Sequence, residues 1–191
     1  MNGLIQAQVV VTKGEFMTSG MMKMFIWEIT RQADFGLTAA SDFRASLDSG
    51  DLNRFWYSIQ AFLVATANVS KLLWPKDSLA RGEALLAELQ IVDGSPLASK
   101  RARNQFEHFD EKLEKWGVSP DTHMIIDTNV GPLTAIDGGA NAACIRHFDP
   151  STEILTVRGE VFELRPVIAA LENLEKTLAT LRADTARGFT C

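Results

Sequence analysis

Arg103-Asn104-Gln105-Phe106-Glu107-His108 is the stretch of this chain with the most evident capacity for chemistry. Arginine offers a planar, permanently charged fork that grips phosphate oxygens. Histidine gives and takes protons near neutrality. Asn104 adds a donor and an acceptor between them. Together they make a compact set of phosphate-handling groups. On a helix, Asn104 and His108 stack one turn apart, and Arg103 and His108 diverge by about 140° around the axis. Arg101 also precedes His108 at a loose spacing, but Ala102 follows it, so Arg103 is the better candidate.

The surrounding helix is expected to run from Ser95-Pro96, a cap and first-turn pair, to about Trp116, before Gly117 and Pro120. Phe106, Phe109, Leu113 and Trp116 gather on one side of it, leaving Arg103, Asn104, Glu107, His108 and Glu111 on a solvated outer face. Polar residues on the outer face of an amphipathic helix also occur with no role beyond solubility.

The elements that must position this helix follow from hydrophobic period. Met22, Phe25, Ile29, Ala33, Leu37, Ala40, Phe43 and Leu47 trace a first helix from about Thr18. Asp51 caps a second, in which Phe55, Ile59, Phe62, Leu63, Thr66, Val69 and Leu73 share a side and Pro75 forces a stop. A third covers Ser78 to Gln90, anchored by Leu79, Leu85, Leu86 and Leu89. Beyond Pro120, His123–Thr128, Ala143–Phe148, Ile154–Val157 and Val161–Leu164 read as short strands between turns at Asp137-Gly138-Gly139, Asp149-Pro150-Ser151 and Arg158-Gly159. Pro166 opens a last helix whose stripe of Ile168, Leu171, Leu174, Leu178 and Leu181 either packs on the bundle or pairs with another subunit. Val9-Val10-Val11 is either a strand or a disordered lead.

The fold class expected is α+β in one domain spanning residues 1–191. A helical bundle at 18–117 is completed by a C-terminal helix at 166–186, with a small antiparallel β-meander inserted at 122–164. The 191 residues, 46% hydrophobic and 23% charged, describe an ordinary globular chain. A net charge of -5 argues against broad, charge-driven nucleic-acid binding, though not against a local basic patch such as Lys100-Arg101. With no signal-like start and no membrane-length apolar run, the expected location is the cytoplasm, with no membrane contact. Cys144 and Cys191 are expected to be reduced thiols.

Other chemistries are weaker. His108 with Glu111, His123 with Asp127 and His147 with Asp149 are pairs, and a pair is not a metal site. Gly138-Gly139 lacks the Lys and Ser or Thr of a phosphate loop. No cofactor or metal is expected. In Phe55-Trp56-Tyr57, Phe55 belongs to the apolar stripe, while Trp56 and Tyr57 are expected to meet another helix or a partner subunit.

Arg103-Asn104-Gln105-Phe106-Glu107-His108 resembles the signature of the HEPN domain family, an Arg, a polar residue, and a His after four to six intervening residues. The resemblance implies a helical bundle, with the strands as an insertion, and a metal-independent endoribonuclease working as a homodimer. In that activity Arg103 holds the scissile phosphate, His108 transfers the proton and Asn104 orients one or the other. It further implies RNA as substrate and an antitoxin or other protein as partner, in the toxin or defence setting of the family. Many HEPN-like domains are catalytically silent binding or assembly modules, and that alternative stays open here.

Overall fold

The computed structural model describes residues 19–117, 125–132, 134 and 143–187. Val9-Val10-Val11, His123, the turn at Asp137-Gly138-Gly139 and Cys191 lie outside the described residues. The chain is mostly helical, with a small mixed sheet placed just before the C-terminal helix.

Two long helices form the spine: α1 (Ser19–Ser49) and α2 (Leu52–Leu73). Their hairpin forms because Gly50 adopts φ +75 and Asp51 then accepts the Arg54 backbone N–H at 3.0 Å, capping α2. All seven apolar-side residues expected of α2 are buried, as are Ile29, Ala33, Ala40 and Phe43 of α1. Helix α3 (Leu79–Glu88) packs across the end of α2, burying Leu85 and Leu89 just beyond it. Leu79, expected as an anchor, is exposed instead.

The helix expected from Ser95 to Trp116 is in fact three pieces. Pro96–Ala98 makes one 3-10 turn, with Ser95 accepting from the Leu97 backbone N–H. Then come α4 (Arg101–Glu107) and α5 (Phe109–Gly117), separated at His108, which leaves helical geometry at φ −103, ψ 42. The physical reason lies outside the helix. The carbonyl of Gln105 accepts a 2.6 Å hydrogen bond from the Arg158 guanidinium, so a side chain from the sheet caps the end of α4.

Among the described residues the strands are β1 (Ile125–Ile126), β2 (Asn129–Val130), β3 (Ala143–Cys144), β4 (Arg146–Asp149), β5 (Ile154–Val157) and β6 (Glu160–Glu163). The expected sheet was antiparallel; the sheet found is mixed. In the order β2-β4-β5-β6, the last three strands are antiparallel, but β2 runs parallel to β4, and β1 pairs β3 in parallel beside them. The reason is connection length: β5 and β6 are joined by two residues, whereas residues 131–145 separate β2 from β4, enough for the crossover that parallel pairing requires. The β5–β6 turn is Arg158-Gly159, with φ +48 and +81, the two positive values of a tight hairpin.

Helix α6 (Leu164–Arg187) opens two residues before Pro166 and lays Ile168, Leu171, Leu174 and Leu178 into the core. The leucine stripe therefore packs on the bundle. Gly36 of α1 makes room for it: a Cβ there would lie 2.9 Å from Leu171 Cδ1.

Gly82 is held more tightly, because a Cβ there would meet the Leu73 carbonyl oxygen and Pro75 Cδ at 2.8 Å each. Alanine gains about 1 kcal/mol of helix propensity, but the backbone carbonyl of Leu73 cannot yield as a flexible side chain would. Gly82→Ala is expected to lower stability by about 1–2 kcal/mol net of that gain, as overpacking does. Urea unfolding that shows the variant equal to or more stable than wild type would contradict the tight α2–α3 approach.

Candidate functional site

The residues of the Arg-Asn-His stretch are dispersed rather than gathered. Arg103 was expected on a solvated face, yet its side chain is only 11% exposed and ion-paired with Glu107, one turn along α4. The cause is the path of α4, which the sheet draws down until Ala102 and Phe106 pack against the core and Gln105 is 4% exposed. Asn104 is exposed, and His108 is exposed at the break between α4 and α5. Arg103 lines an open groove of about 340 Å³, walled by Phe62 and Leu63 of α2, Val161 to Glu163 of β6 and the start of α6. Neither Asn104 nor His108 lines that groove.

The residue of this stretch with the most partners is Gln105, which lies outside the Arg-Asn-His set. Its side-chain oxygen accepts from Arg158 Nη2 at 2.8 Å, and its carbonyl accepts from the same nitrogen. Its amide donates to Glu160, whose other oxygen accepts from Arg101 at 3.1 Å. A neutral buried amide thus relays between an arginine on the hairpin turn and a carboxylate on β6. Burial draws the Arg158 pKa below its ordinary value; Glu160 opposes that and Arg146 adds to it. Nη1 of Arg158 is buried and makes no hydrogen bond among the described residues. Only Arg101 and Gln105 carry a signal in the sequence: four apart, they share a helix face and converge on Glu160.

Arg146 and Arg158 both approach the ring of Phe109, each with its guanidinium carbon 5.3 Å from the centroid. Arg146 is not free to receive a ligand, because Asp127 takes both its Nε, at 2.8 Å, and its Nη2. That hydrogen bond raises the Arg146 pKa and lowers that of Asp127. Lys100, beside the cluster, donates to the Trp74 carbonyl at 3.3 Å, and burial, with Lys71 and Arg103 nearby, lowers its pKa.

The candidate ligands His147 and Asp149 are already engaged. His147 is 1% exposed, with Nδ1 2.7 Å from the Asn129 amide nitrogen across the parallel β2–β4 pair. Asp149 accepts from the backbone N–H and the hydroxyl of Ser151, which lowers its pKa and shapes the turn. Among the described residues no three His, Cys, Asp or Glu side chains converge as a metal would need. Burial pushes the Cys144 thiol up, away from the reactive thiolate. Trp56 is buried in the core and donates to the Thr128 carbonyl on the sheet side at 3.3 Å.

Compared with protein-family models, curated proteins and solved structures, the chain matched none. Its likeness to HEPN domains therefore rests on the six-residue stretch alone. Among the described residues no helix is long and apolar enough to cross a membrane.

His147 gives this region a pH dependence whose sign is fixed. Burial lowers its pKa, against the opposing charge of Asp149. The unfolded chain therefore takes up the proton more readily, and the stabilisation is complete above about pH 6.5 and lost as pH falls below it. Unfolding measured at about pH 8 and about pH 5 should show wild type losing more stability on acidification than His147→Gln. Equal losses in the two proteins would show that the ring stays neutral for no energetic reason.

Proposed function

We propose that this chain is a non-catalytic binding or assembly module built on a helical bundle. The observation that carries this reading is the closure of Arg103: its side chain is mostly buried and paired with Glu107, while His108 stands exposed at a helix break and outside the groove that Arg103 lines. Anion stabilisation in a transition state needs donors already aimed at the developing charge. An arginine committed to a neighbouring carboxylate must first surrender that partner. The core instead uses the stretch structurally, through Gln105, to hold the hairpin.

A second reading is kept by one observation. Arg103 borders an open groove, and its partner Glu107 is a half-exposed side chain one helical turn away. A metal-independent ribonuclease needs only that this pair open, freeing Arg103 for phosphate and leaving His108 for proton transfer, a contribution of about 10²–10⁴-fold. Protein partners, an antitoxin among them, fit either reading.

Mixed cellular RNA incubated with the protein in chelator decides between them. Wild type and Glu107→Ala, which releases Arg103, are both expected to leave the RNA intact. Fragments ending in cyclic phosphate from either protein, abolished by adding His108→Ala, would replace the module reading with the nuclease.

A further inference from the structure

The sheet ends at β6, and among the described residues no strand follows it. The ladder to β5 shows which main-chain groups are left over. Ile154 pairs with Glu163 and Leu155 with Phe162, and one step beyond them the Leu164 N–H donates to the Glu153 carbonyl at 3.1 Å. Residues of an antiparallel pair alternate between bonding across it and facing away. Leu164, Phe162 and Glu160 therefore bond toward β5, while Val161 and Glu163 face the other way. Val161 turns its N–H and its C=O to the open edge, and Glu163 turns its N–H there. A row of such groups is a template for one more strand.

This edge is also one wall of the groove that Arg103 lines, with Phe62 and Leu63 of α2, Ala102 of α4 and Val167 of α6 around it. Side chains alternate across a sheet: Phe162 turns inward and is 9% exposed, whereas Val161 turns outward and is 58% exposed. A strand laid beside β6 puts the residue opposite Phe162 into the groove, where an apolar side chain meets apolar walls. Charge selects the next residue. Arg101 and Arg103 are taken by Glu160 and Glu107. Glu163 is exposed at the lip and makes no ion pair among the described residues, its neighbour Arg165 being turned to Glu153. The one carboxylate left over on this edge calls for a cation.

We propose that β6 receives an extended segment of a partner protein, in which a Lys or Arg opposite Glu163 is followed directly by a large apolar residue opposite Phe162. This names the ligand class of the module reading and rests on it. Main-chain bonds to the edge supply affinity and the alternate side chains supply selectivity, as in other additions of a strand to a sheet. The segment runs antiparallel to β6, the more stable pairing per residue, which matters for so short a strand. That direction sets the order, because the residue opposite Glu163 then precedes the one opposite Phe162. Being short and carrying Glu at each end, β6 is blunted against indiscriminate pairing. A segment lacking the basic and apolar residues therefore gains little there.

The probe is a fluorescein-labelled, C-terminally amidated peptide of sequence Ser-Thr-Lys-Leu-Val-Thr-Ser, titrated with the full chain and followed by anisotropy. Saturable binding with a Kd on the order of 100 µM is expected. Methylating the amide nitrogen of the peptide's Val removes the donor to the Val161 carbonyl and no side chain, and should weaken binding about tenfold. Val161→Pro removes only an outward N–H, which an edge strand tolerates, and should weaken it as much with far-UV circular dichroism unchanged. Glu163→Lys should reverse the preference, binding a peptide with Glu in place of Lys about fivefold better than the original, which damage to the fold would not do. No saturable binding up to about 1 mM, binding indifferent to the methylated amide, or an unreversed preference overturns the proposal. So does self-association of wild type that Val161→Pro disperses, because a second copy then holds the edge. A peptide that fails to bind while RNA stays intact removes this proposal and leaves the module reading; RNA cleavage removes that reading, and this proposal with it.

Discussion

Phe148 is the side chain on which the rest of the structure depends. It sits in the middle of β4, fully buried, with its ring 5.0 Å from Phe55 and 6.0 Å from Phe43. Phe43 in turn meets Phe55 and Phe62 edge-to-face, so one aromatic cluster joins α1, α2 and the sheet. Such pairs contribute about 0.5–1.5 kcal/mol each beyond the area they bury. Without this contact a sheet of two- and four-residue strands has no hydrophobic face to stand on, since short strands are stable only when packed.

A charged clamp holds the other end of the sheet. Glu153, at φ +55 in the turn before β5, accepts from Arg44 of α1 at 2.7 Å and from Arg165 of α6 at 3.4 Å. Burial alone would raise its carboxyl, but the two arginines outweigh that and lower it. The pair of helices that brackets the sheet is thereby tied to one carboxylate. The Gln105–Arg158–Glu160 chain does the same for α4, and its effect reaches the candidate site. Drawing α4 toward the hairpin buries Gln105, carries Arg103 inward with it, and ends the helix at His108. A stretch whose types suit phosphate chemistry has been recruited into holding the fold.

The spine itself is asymmetric in its use. One side of α1 and α2 is consumed by the core, α6 included, and the other presents Phe35, Tyr57 and Val64 outward. With Leu171, Leu174 and Leu178 buried within the chain, the exposed apolar side chains among the described residues include Phe35, Tyr57 and Val64 together with Leu79, Val92 and Val161 elsewhere.

By itself the sequence determined the elements whose causes are local. The three- and four-residue recurrence from Met22 to Leu47 and from Phe55 to Leu73, the Asp51 cap, the stop before Pro75 and the Arg158-Gly159 turn each depend on residues a few positions apart, and each element forms where its pattern places it. The last helix was legible for the same reason, but its choice between bundle and partner was not, because a stripe of leucines is equally apolar in both settings. Only the tertiary structure decided the parallel pairing of β2 with β4, the break at His108, the burial of Arg103 and the covering of the leucine stripe. Each depends on groups distant along the chain, Gln105 and Arg158 being 53 residues apart. Periodicity reports which side of a helix is apolar; which polar residue is pulled inward depends on the partner that meets it, and that partner is known only once the chain has folded.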